Sequence, residues 1–326
     1  MAEKTRWGIL STGRIAGIFA EGLQSTENAE LLAVGSRTQE AADAFAEKWN
    51  VPHCHASYEA LAADPDVDAI YVATPHPFHK LNSLLCIEAG KAVLCEKPFT
   101  INAAEAEAVV AAARRKQVFC MEAMWSRFLP LTRKVRAMID EGAIGDVRMV
   151  VIDFGFRAGL DPEGRLFKPA LGGGGLLDVG VYAVSLAQWI LGTPTDVASL
   201  AHLGETGVDE QAAFILKFAG GELAVLCSAI RTNTPQQAEI LGTEGRVHIQ
   251  PFWKPTQATL VKGQETQGIG LPFDGNGYNY EAAEVGACLR AGKLESDVMP
   301  LDETIEIMRT LDRIRAQWPL KYPMES

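Results

Sequence analysis

The spacing of apolar positions changes about a third of the way along the chain. Up to residue 122, short apolar runs alternate with stretches in which apolar residues recur at helical spacing. Apolar runs such as Asp68–Ala73 are nearly continuous, which is typical of parallel strands covered on both faces. This alternation predicts a doubly wound parallel α/β sheet. The predicted strands are 6–10, 30–34, 53–55, 68–73, 92–95 and 118–121, and the helices are 15–23, 41–49, 58–62, 79–89 and 103–115.

The remainder of the chain favours a second domain with a different architecture. Its strands follow one another, joined by turns such as Ala219–Gly221 that suit antiparallel hairpins. We therefore predict a domain of residues 1–122 and an α+β domain of residues 123–326 with a large, open, mainly antiparallel sheet. The final helix is expected to pack back on the first domain. The predicted strands are 147–156, 197–202, 212–218, 223–230, 238–241, 247–250 and 258–261, and the helices are 131–141, 176–191, 280–291 and 302–317.

One predicted strand bears on assembly. The segment Leu223–Cys227 is apolar at every position, whereas an antiparallel strand with one solvated face should alternate. We expect both faces of this strand to be covered, one by helices and the other by a second subunit. The expected state is a homodimer or a higher homo-oligomer formed through the second sheet, and a covering loop is the alternative.

Composition and charge exclude several classes of protein. The chain has 326 residues, of which 48% are apolar, and this is an ordinary globular composition. Its formal net charge is −11, which disfavours binding to nucleic acid or to anionic lipid. The longest uncharged run, Val179–Thr195, contains polar residues and is too short to span a bilayer. No nucleic-acid or membrane partner is expected.

The cellular compartment is predicted from the start of the chain and from its cysteines. Met1–Arg6 lead directly into an apolar strand without the pattern of a signal peptide. The six cysteines form no CxxC pair. Reduced thiols in the cytoplasm are the simplest interpretation.

The turn after the first strand resembles a dinucleotide-binding fingerprint, G-x-G-x-x-G/A. Gly13 and Ala16 occupy the second and third fingerprint positions, and the helix that follows offers free N–H groups to phosphates. Ser11 departs from the pattern, because it stands where the first glycine is expected. An ordinary turn is the alternative interpretation. The predicted cofactor-binding residues of this turn are Ser11, Thr12, Gly13, Arg14 and Ile15.

The end of the second strand indicates which dinucleotide is preferred. NAD sites usually place a carboxylate there to hold the ribose 2′-hydroxyl, but this chain has Ser36, Arg37 and Thr38. A guanidinium at this position can bind a 2′-phosphate, and the two hydroxyls add donors. We therefore predict NADP as the cofactor. A solvated arginine at the start of a helix is the alternative.

Two more loops follow strands of the predicted parallel sheet. Glu96-Lys97-Pro98 follows strand 92–95, and a proline-containing loop from Thr74 to His79 follows strand 68–73. Ligands bind at the carboxyl ends of strands in open α/β sheets. The loop residues assigned to cofactor binding are Thr74, Pro75, His76, His79, Glu96 and Lys97.

With these motifs the chain resembles the glucose–fructose oxidoreductase, inositol dehydrogenase and rhizopine catabolism (Gfo/Idh/MocA) family over nearly its whole length. The resemblance implies a Rossmann domain, a functional lysine in the Glu-Lys-Pro segment and a C-terminal open sheet. Family members usually carry D-x-x-x-H on a later helix, but here Asp178 is followed by Tyr182. Together with Met121–Phe128, this variant resembles the branch of dimeric dihydrodiol dehydrogenases and NADP-dependent D-xylose dehydrogenases.

In that branch the lysine and the tyrosine form the catalytic pair, which implies Lys97 and Tyr182 here. Free tyrosine and free lysine both have pKa values near 10, so neither is a good base at neutral pH. A lysine ammonium beside a tyrosine favours the phenolate, which then accepts the alcohol proton. The assignment within the pair can be exchanged. Asp178, four residues before Tyr182, would orient Lys97 or a substrate hydroxyl. A packed core tyrosine and a simple helix-start aspartate are the alternatives.

Four further residues are candidates for substrate binding: Trp125, Arg127, Phe154 and Phe156. The aromatic rings could stack on a sugar or on an aromatic diol, with an interdomain core as the alternative. Arg127 could instead anchor an interdomain ion pair.

No metal is expected. His53 and His55 share a face of their strand, but the sequence shows no third ligand at a recognisable spacing.

The combined prediction is an NADP-dependent oxidoreductase acting on a small molecule. The expected substrate is a sugar, such as the aldose D-xylose, or a cyclic vicinal diol. A reductase of keto- or anhydro-sugars and a non-catalytic NADP-binding sensor are the alternatives.

Overall fold

The computed structural model describes residues 4–325. Met1–Glu3, on which part of the signal-peptide prediction rests, and Ser326 lie outside the described residues. The chain divides into two units. The first unit contains the chain through Phe128 together with Asp274–Ile305, and the second contains Leu129–Phe273 and the residues from Glu306 onward. The predicted boundary at residues 122 and 123 lies slightly before this division.

The first unit contains a six-stranded parallel sheet in the order β3-β2-β1-β4-β5-β6. This is the strand order of a Rossmann fold, so the prediction of a doubly wound sheet is confirmed. The strands are β1 (Thr5–Leu10), β2 (Ala29–Gly35), β3 (His53–His55), β4 (Ala69–Val72), β5 (Ala92–Glu96) and β6 (Cys120–Ala123). The intervening helices are α1 (Arg14–Gln24), α2 (Gln39–Trp49), α3 (Tyr58–Ala62), α4 (His79–Glu88) and α5 (Ala103–Lys116).

Local sequence signals explain these elements. All four residues of β4 are buried, as expected for a strand covered on both faces. Polar side chains cap three of the helices, because Thr38, Ser57 and Asn102 each accept a backbone N–H hydrogen bond from the first turn. In the core, Phe19 of α1 stacks on Tyr71 of β4 with ring centroids 3.8 Å apart. These contacts fix α1 against the centre of the sheet.

The strand order reverses between β1 and β4. The chain leaves β1 toward β2 and β3 on one side, then returns to β4, β5 and β6 on the other. The turn at Ser11, the loop from Thr74 and the loop at Lys97 follow the carboxyl ends of β1, β4 and β5. Three predicted cofactor segments therefore meet at the edge where open α/β sheets bind ligands.

The second unit contains an eight-stranded sheet in the order β14-β13-β12-β11-β7-β10-β9-β8. Among the described strands of this sheet, only β7 and β10 pair in parallel, so the prediction of a mainly antiparallel sheet is confirmed. β14 was not predicted, because its sequence has no apolar alternation and its residues are almost all exposed at the sheet edge. The strands are β7 (Val147–Gly155), β8 (Asp196–Leu203), β9 (Asp209–Lys217), β10 (Leu223–Ala229), β11 (Ala238–Gly242), β12 (Arg246–Ile249), β13 (Gln257–Lys262) and β14 (Glu265–Gly270).

The helices of the second unit are α6 (Pro130–Asp140) and α7 (Val181–Leu191). A turn of π-helix, Leu176–Gly180, precedes α7, whereas the sequence predicted one uninterrupted helix over 176–191. The α7 helix packs on β7 and β10. By length and composition, Pro169–Leu191 is the one described helical stretch that could cross a membrane. However, 83% of its most apolar 18-residue window is buried inside the protein, as in a core helix.

Two helices end the chain. The α8 helix (Asn279–Arg290) lies wholly in the first unit. The α9 helix (Leu301–Arg315) begins in the first unit and ends in the second.

Candidate active site

The β1–α1 turn is built for close approach of a ligand. Ser11 has a φ of +100°, a conformation that favours glycine, which is the residue that the fingerprint has at this position. Gly13 starts α1 without a side-chain cap, so its first N–H groups are not occupied by a capping side chain. A Cβ at residue 13 would have only Ser11 Oγ near it, at 3.9 Å, which leaves space for a phosphate. The backbone of the turn thus keeps the fingerprint geometry despite the serine.

The strain at Ser11 can be measured by comparing two substitutions. Both Ser11→Ala and Ser11→Gly remove the hydroxyl, but only alanine keeps a Cβ at positive φ. We expect the glycine variant to be more stable than the alanine variant by about 1 kcal/mol, read from urea unfolding. At Thr12, which does not have positive φ, the order should reverse, because glycine loses more entropy on folding. An alanine variant at position 11 as stable as the glycine variant would show that the turn is unstrained.

Arg37 follows β2 and is exposed, while Ser36 is buried. Burial raises the pKa of Tyr58, and the nearby Arg37 guanidinium and a hydrogen bond with Ser11 oppose that rise. Tyr58 therefore lies with the predicted 2′-phosphate residues, although no local sequence signal marks it. Thr38 caps α2 by accepting a hydrogen bond from the Ala41 N–H at 3.3 Å.

The loops after β4 and β5 are joined by His79. Its Nδ1 lies 2.9 Å from the carbonyl oxygen of Pro98 and its Nε2 lies 2.7 Å from that of Thr74. Burial lowers the pKa of His79, whose exposed fraction is 0%. The His76 ring packs edge-on against it, with centroids 5.7 Å apart. His79 is therefore buried beneath the two predicted cofactor loops and positions them, and its side chain is not exposed to a ligand.

Lys97 lies at the start of the loop that His79 supports. Its backbone N–H donates to Glu96 Oε2 at 3.0 Å, and the Tyr71 hydroxyl donates to the other oxygen of Glu96. Two residues later, the Phe99 N–H donates to Glu122 Oε1 at 3.1 Å. Burial raises the pKa of Glu122 to about 7. Glu122 thus positions the loop that carries Lys97, and no local sequence signal marks it.

Trp125 and Arg127, two of the predicted substrate-binding residues, are buried in the first unit. Trp125 stacks on Tyr278 of the same unit, with ring centroids 4.7 Å apart. Arg127 is 2% exposed, and its Nη2 donates to Glu303 Oε1 at 2.7 Å. For Trp125 these contacts favour the alternative of a core residue. For Arg127 they favour the ion-pair alternative, with both partners of the ion pair inside the first unit.

In the second unit Tyr182 lies within an aromatic cluster. Phe154 is 5.4 Å from Tyr182 between ring centroids, and it stacks on Trp253 at 5.5 Å. The Trp253 Nε1–H donates to Gln236 Oε1 at 2.9 Å, which fixes the indole. Phe156, the other predicted aromatic, instead packs on a separate cluster with Phe167. The structure thus brings Phe154 to Tyr182 and places Phe156 elsewhere.

Asp178 forms an ion pair that the sequence did not predict. Arg165 Nη1 donates to Asp178 Oδ1 at 2.9 Å, and the Asp178 side chain is nearly buried while that of Arg165 is exposed. Asp178 belongs to the π-helical turn, so the α-helical four-residue spacing does not hold strictly between it and Tyr182. Turns of π-helix are frequent at functional sites.

Asp209 holds the start of the helical segment that carries Asp178 and Tyr182. Its Oδ2 accepts the Leu176 N–H at 2.6 Å. Gly174 has a φ of +118°, and a Cβ there would lie 2.1 Å from Asp209 Oδ1. Only glycine fits this close approach. Burial raises the pKa of Asp209 to about 7.

The raised pKa of Asp209 predicts a pH dependence of stability. The folded chain binds the carboxyl proton more tightly than the unfolded chain, so this contribution is complete below the unfolded pKa, near 4, and is lost as pH rises through about 7. Asp209→Asn keeps an acceptor for Leu176 but does not titrate. We expect its unfolding temperature relative to wild type to be higher at pH 8 than at pH 5. A difference that does not change with pH would contradict the assignment.

Two family models match the sequence. Residues 5–124 match the oxidoreductase family with an NAD-binding Rossmann fold, and residues 132–248 match the GFO/IDH/MocA C-terminal domain. Proteins named trans-1,2-dihydrobenzene-1,2-diol dehydrogenase are similar over almost the full length. That of Mus musculus is 40% identical and that of Homo sapiens is 37% identical, and each comparison covers 98% of both chains.

Solved structures agree with this likeness. The aldose–aldose oxidoreductase of Caulobacter crescentus, complexed with glycerol, is 27% identical with a TM-score of 0.89, covering 96% of this chain and 97% of that one. An open conformation of a 3-ketoreductase from Actinomadura kijaniata, in complex with TDP-benzene and NADP, is 25% identical with a TM-score of 0.83. That comparison covers 96% of this chain and 97% of the other.

Proposed function

The chain belongs to the Gfo/Idh/MocA oxidoreductase family, and we propose that it is an NADP-dependent oxidoreductase that acts on a CH–OH group of a cyclic vicinal diol or a sugar. The observation that carries this proposal is the near full-length likeness to dihydrodiol dehydrogenases in a chain with Arg37, and no acid, after β2. The substrate is a small molecule.

The residues around the Rossmann sheet edge fit a nicotinamide dinucleotide. The β1–α1 turn and the α1 N-terminus would hold the pyrophosphate, through Ser11, Thr12, Gly13, Arg14 and Ile15. Arg37, with Ser36 and Thr38, would hold the 2′-phosphate, and the loops at Thr74–His76 and Glu96–Lys97 would flank the rest. When bound, the cofactor accepts hydride from the alcohol carbon, or returns it in the reverse direction.

The protein's own contribution to catalysis is the transfer of the hydroxyl proton. We assign Tyr182 as the proton acceptor in oxidation and Lys97 as the cation that favours its phenolate and contacts the reacting oxygen. This pairing rests on the family resemblance. Arg165 pairs with Asp178 and holds its carboxylate in a fixed direction, so Asp178 is suited to orient a neighbouring substrate hydroxyl.

The aromatic cluster beside Tyr182 supports a ring-shaped substrate. Trp253 is partly exposed and offers a flat face, whose orientation is fixed by stacking on the buried Phe154 ring and by the Gln236 hydrogen bond. Such faces bind the apolar side of a sugar or of a cyclohexadiene diol. The likeness to an aldose–aldose oxidoreductase favours aldoses such as D-xylose as the second substrate class, with sugar reduction as the reverse reaction.

We also propose that the chain works as a homodimer or a higher homo-oligomer. On the second sheet, Leu200, Ile215 and Val225 are 83%, 45% and 38% exposed on the face opposite to α7. Ile215 is paired directly with Val225 in the sheet, so the apolar patch is continuous across β9 and β10. A sedimentation experiment at micromolar concentration that gives the mass of a single chain would contradict the proposed oligomer. The six free cysteines support a reducing, cytoplasmic setting.

A substrate panel tests the proposal. Trans-dihydrobenzenediol, D-xylose and D-glucose are offered to the enzyme with NADP+ or NAD+, and absorbance of the reduced nicotinamide is recorded. We expect turnover of at least one panel member, with NADP+ preferred over NAD+. Tight NADPH binding without turnover of any substrate would instead support a sensor. Reduction of a keto-sugar by NADPH, without oxidation of the panel, would assign the reductase activity.

A further inference from the structure

Three side-chain atoms of the kinds that can bind a metal ion lie close together at the outer edge of the Rossmann sheet. His53 and His55 lie on the same face of β3, the edge strand. His53 Nδ1 lies 2.8 Å and His55 Nε2 lies 2.9 Å from one oxygen, Oδ2 of Asp64, and the three ligand atoms all lie within 4.8 Å of one another. Asp64 follows α3 in the sequence, which is why residue spacing did not reveal it as the third ligand.

The position of the Asp64 carboxylate is fixed by other contacts. Its second oxygen, Oδ1, accepts the Asp66 N–H at 2.9 Å, and the Lys91 ammonium donates to the Asp64 carbonyl. The Asp64 side chain is 4% exposed, while those of His53 and His55 are 35% and 22% exposed. A buried, oriented carboxylate thus faces two imidazoles that remain accessible to solvent. Fixed outer contacts of this kind are what metal ligands require.

From this geometry we propose a binding site for a divalent transition-metal ion, Zn²⁺ in the first instance, formed by His53, His55 and Asp64. Two imidazole nitrogens and one carboxylate oxygen are a donor set that zinc accepts, with water as a fourth ligand on the exposed side. Bonds of about 2.0–2.1 Å in a tetrahedron separate the ligand atoms by about 3.3 Å. The two ring nitrogens lie 2.8 and 2.9 Å from the carboxylate oxygen, so each would move slightly away from it to admit the ion.

A second pair, in the other unit, shows what a plain histidine–carboxylate contact looks like in this protein. His248 Nδ1 lies 2.8 Å from Glu239 Oε1, at nearly the same distance, but no third ligand of this kind from residues 4–325 joins that pair. Within residues 4–325, the group at His53 is the one in which three such ligands meet. His248 is therefore a matched control, because it contacts a carboxylate in the same way but without a third ligand beside it.

The proposed ion would tie β3 to the segment that connects α3 with β4. The carbonyl of His55 also accepts the Ser36 N–H at 3.0 Å, so the same strand supports the end of β2. An ion that binds the folded chain alone raises its stability by mass action. Zinc should therefore raise the unfolding temperature of the intact protein.

The test uses the full-length, tag-free chain stripped with chelator and titrated with Zn²⁺ by calorimetry. We expect one ion per chain, loss of that binding in His53→Ala and in His55→Ala, and unchanged binding in His248→Ala. Cobalt(II) should give the visible absorption of a tetrahedral ion in wild type but not in the two variants. Circular dichroism confirms that the variants fold.

Three results would overturn the proposal. They are the absence of stoichiometric uptake, uptake that persists in a variant lacking both histidines, and uptake that is lost in Cys54→Ser instead. The readout is independent of substrate turnover, so failure of the proposed enzymatic function would leave this test unaffected.

Discussion

Replacing Tyr182 with phenylalanine should lower kcat for alcohol oxidation by about 100- to 10,000-fold, the range typical of a lost proton-transfer group. The phenyl ring preserves the packing against Phe154, so the variant should fold and bind NADPH with a nearly unchanged dissociation constant. Steady-state kinetics together with a fluorescence titration of NADPH measure both quantities. The loss should appear in kcat rather than in cofactor affinity, because only the proton acceptor is removed.

A matched variant separates the role of Tyr182 from a general effect of losing a hydroxyl. Tyr280 accepts a hydrogen bond from the Asp274 N–H at 2.9 Å, and Tyr280→Phe should leave kcat unchanged. If Tyr182→Phe retains near-normal activity, proton transfer belongs to Lys97 or to a water molecule. The pH–rate profile of Lys97→Met would then distinguish those two.

Replacing Arg37 with alanine should raise the KM for NADP+ by about 10- to 100-fold and leave the KM for NAD+ nearly unchanged. A charged hydrogen bond contributes about 1.5–3 kcal/mol, and each 1.4 kcal/mol is a factor of ten. Only NADP+ carries the 2′-phosphate that the guanidinium would hold. Initial rates measured with each cofactor at saturating substrate give the two constants.

Arg14 provides the contrast to Arg37. It lies at the start of α1, where a cation would contact the pyrophosphate that both cofactors share. Arg14→Ala should therefore affect NADP+ and NAD+ alike. Equal effects of Arg37→Ala on both cofactors would remove the 2′-phosphate assignment.

Much of the fold is encoded in local patterns. The bounds of β3 and α3 coincide with the predicted ones, and the Ser57 cap marks where α3 begins. β14 could not be predicted, since its sequence has no apolar alternation and it forms a strand only by pairing with β13 at the edge of the sheet. The π-helical turn at Leu176–Gly180 likewise depends on packing, because its sequence is compatible with an ordinary helix.

In the candidate site, likewise, some residues could be predicted from the sequence and others could not. Ser11, Arg37 and Lys97 could be found because strand ends mark where ligands bind in a parallel sheet. Tyr58, Glu122, Arg165 and Asp209 could not, since each acts on a residue distant in sequence and carries no local signal. Asp209 and Leu176, for example, are 33 positions apart. Asp64, the third proposed ligand beside His53 and His55, lies close to them in sequence but after α3, where no metal-ligand spacing marks it.

The proposed reaction would transfer a hydride from the alcohol carbon of the substrate to the nicotinamide of NADP+. It is tested most directly with the best panel substrate, deuterated at the carbon that bears the reacting hydroxyl. Mass spectrometry of the reduced cofactor should show one deuterium per molecule. The single-turnover rate, measured separately, should be slower than with the undeuterated substrate. Reduced cofactor without deuterium, or no reduction of NADP+ by any panel member, would contradict the account.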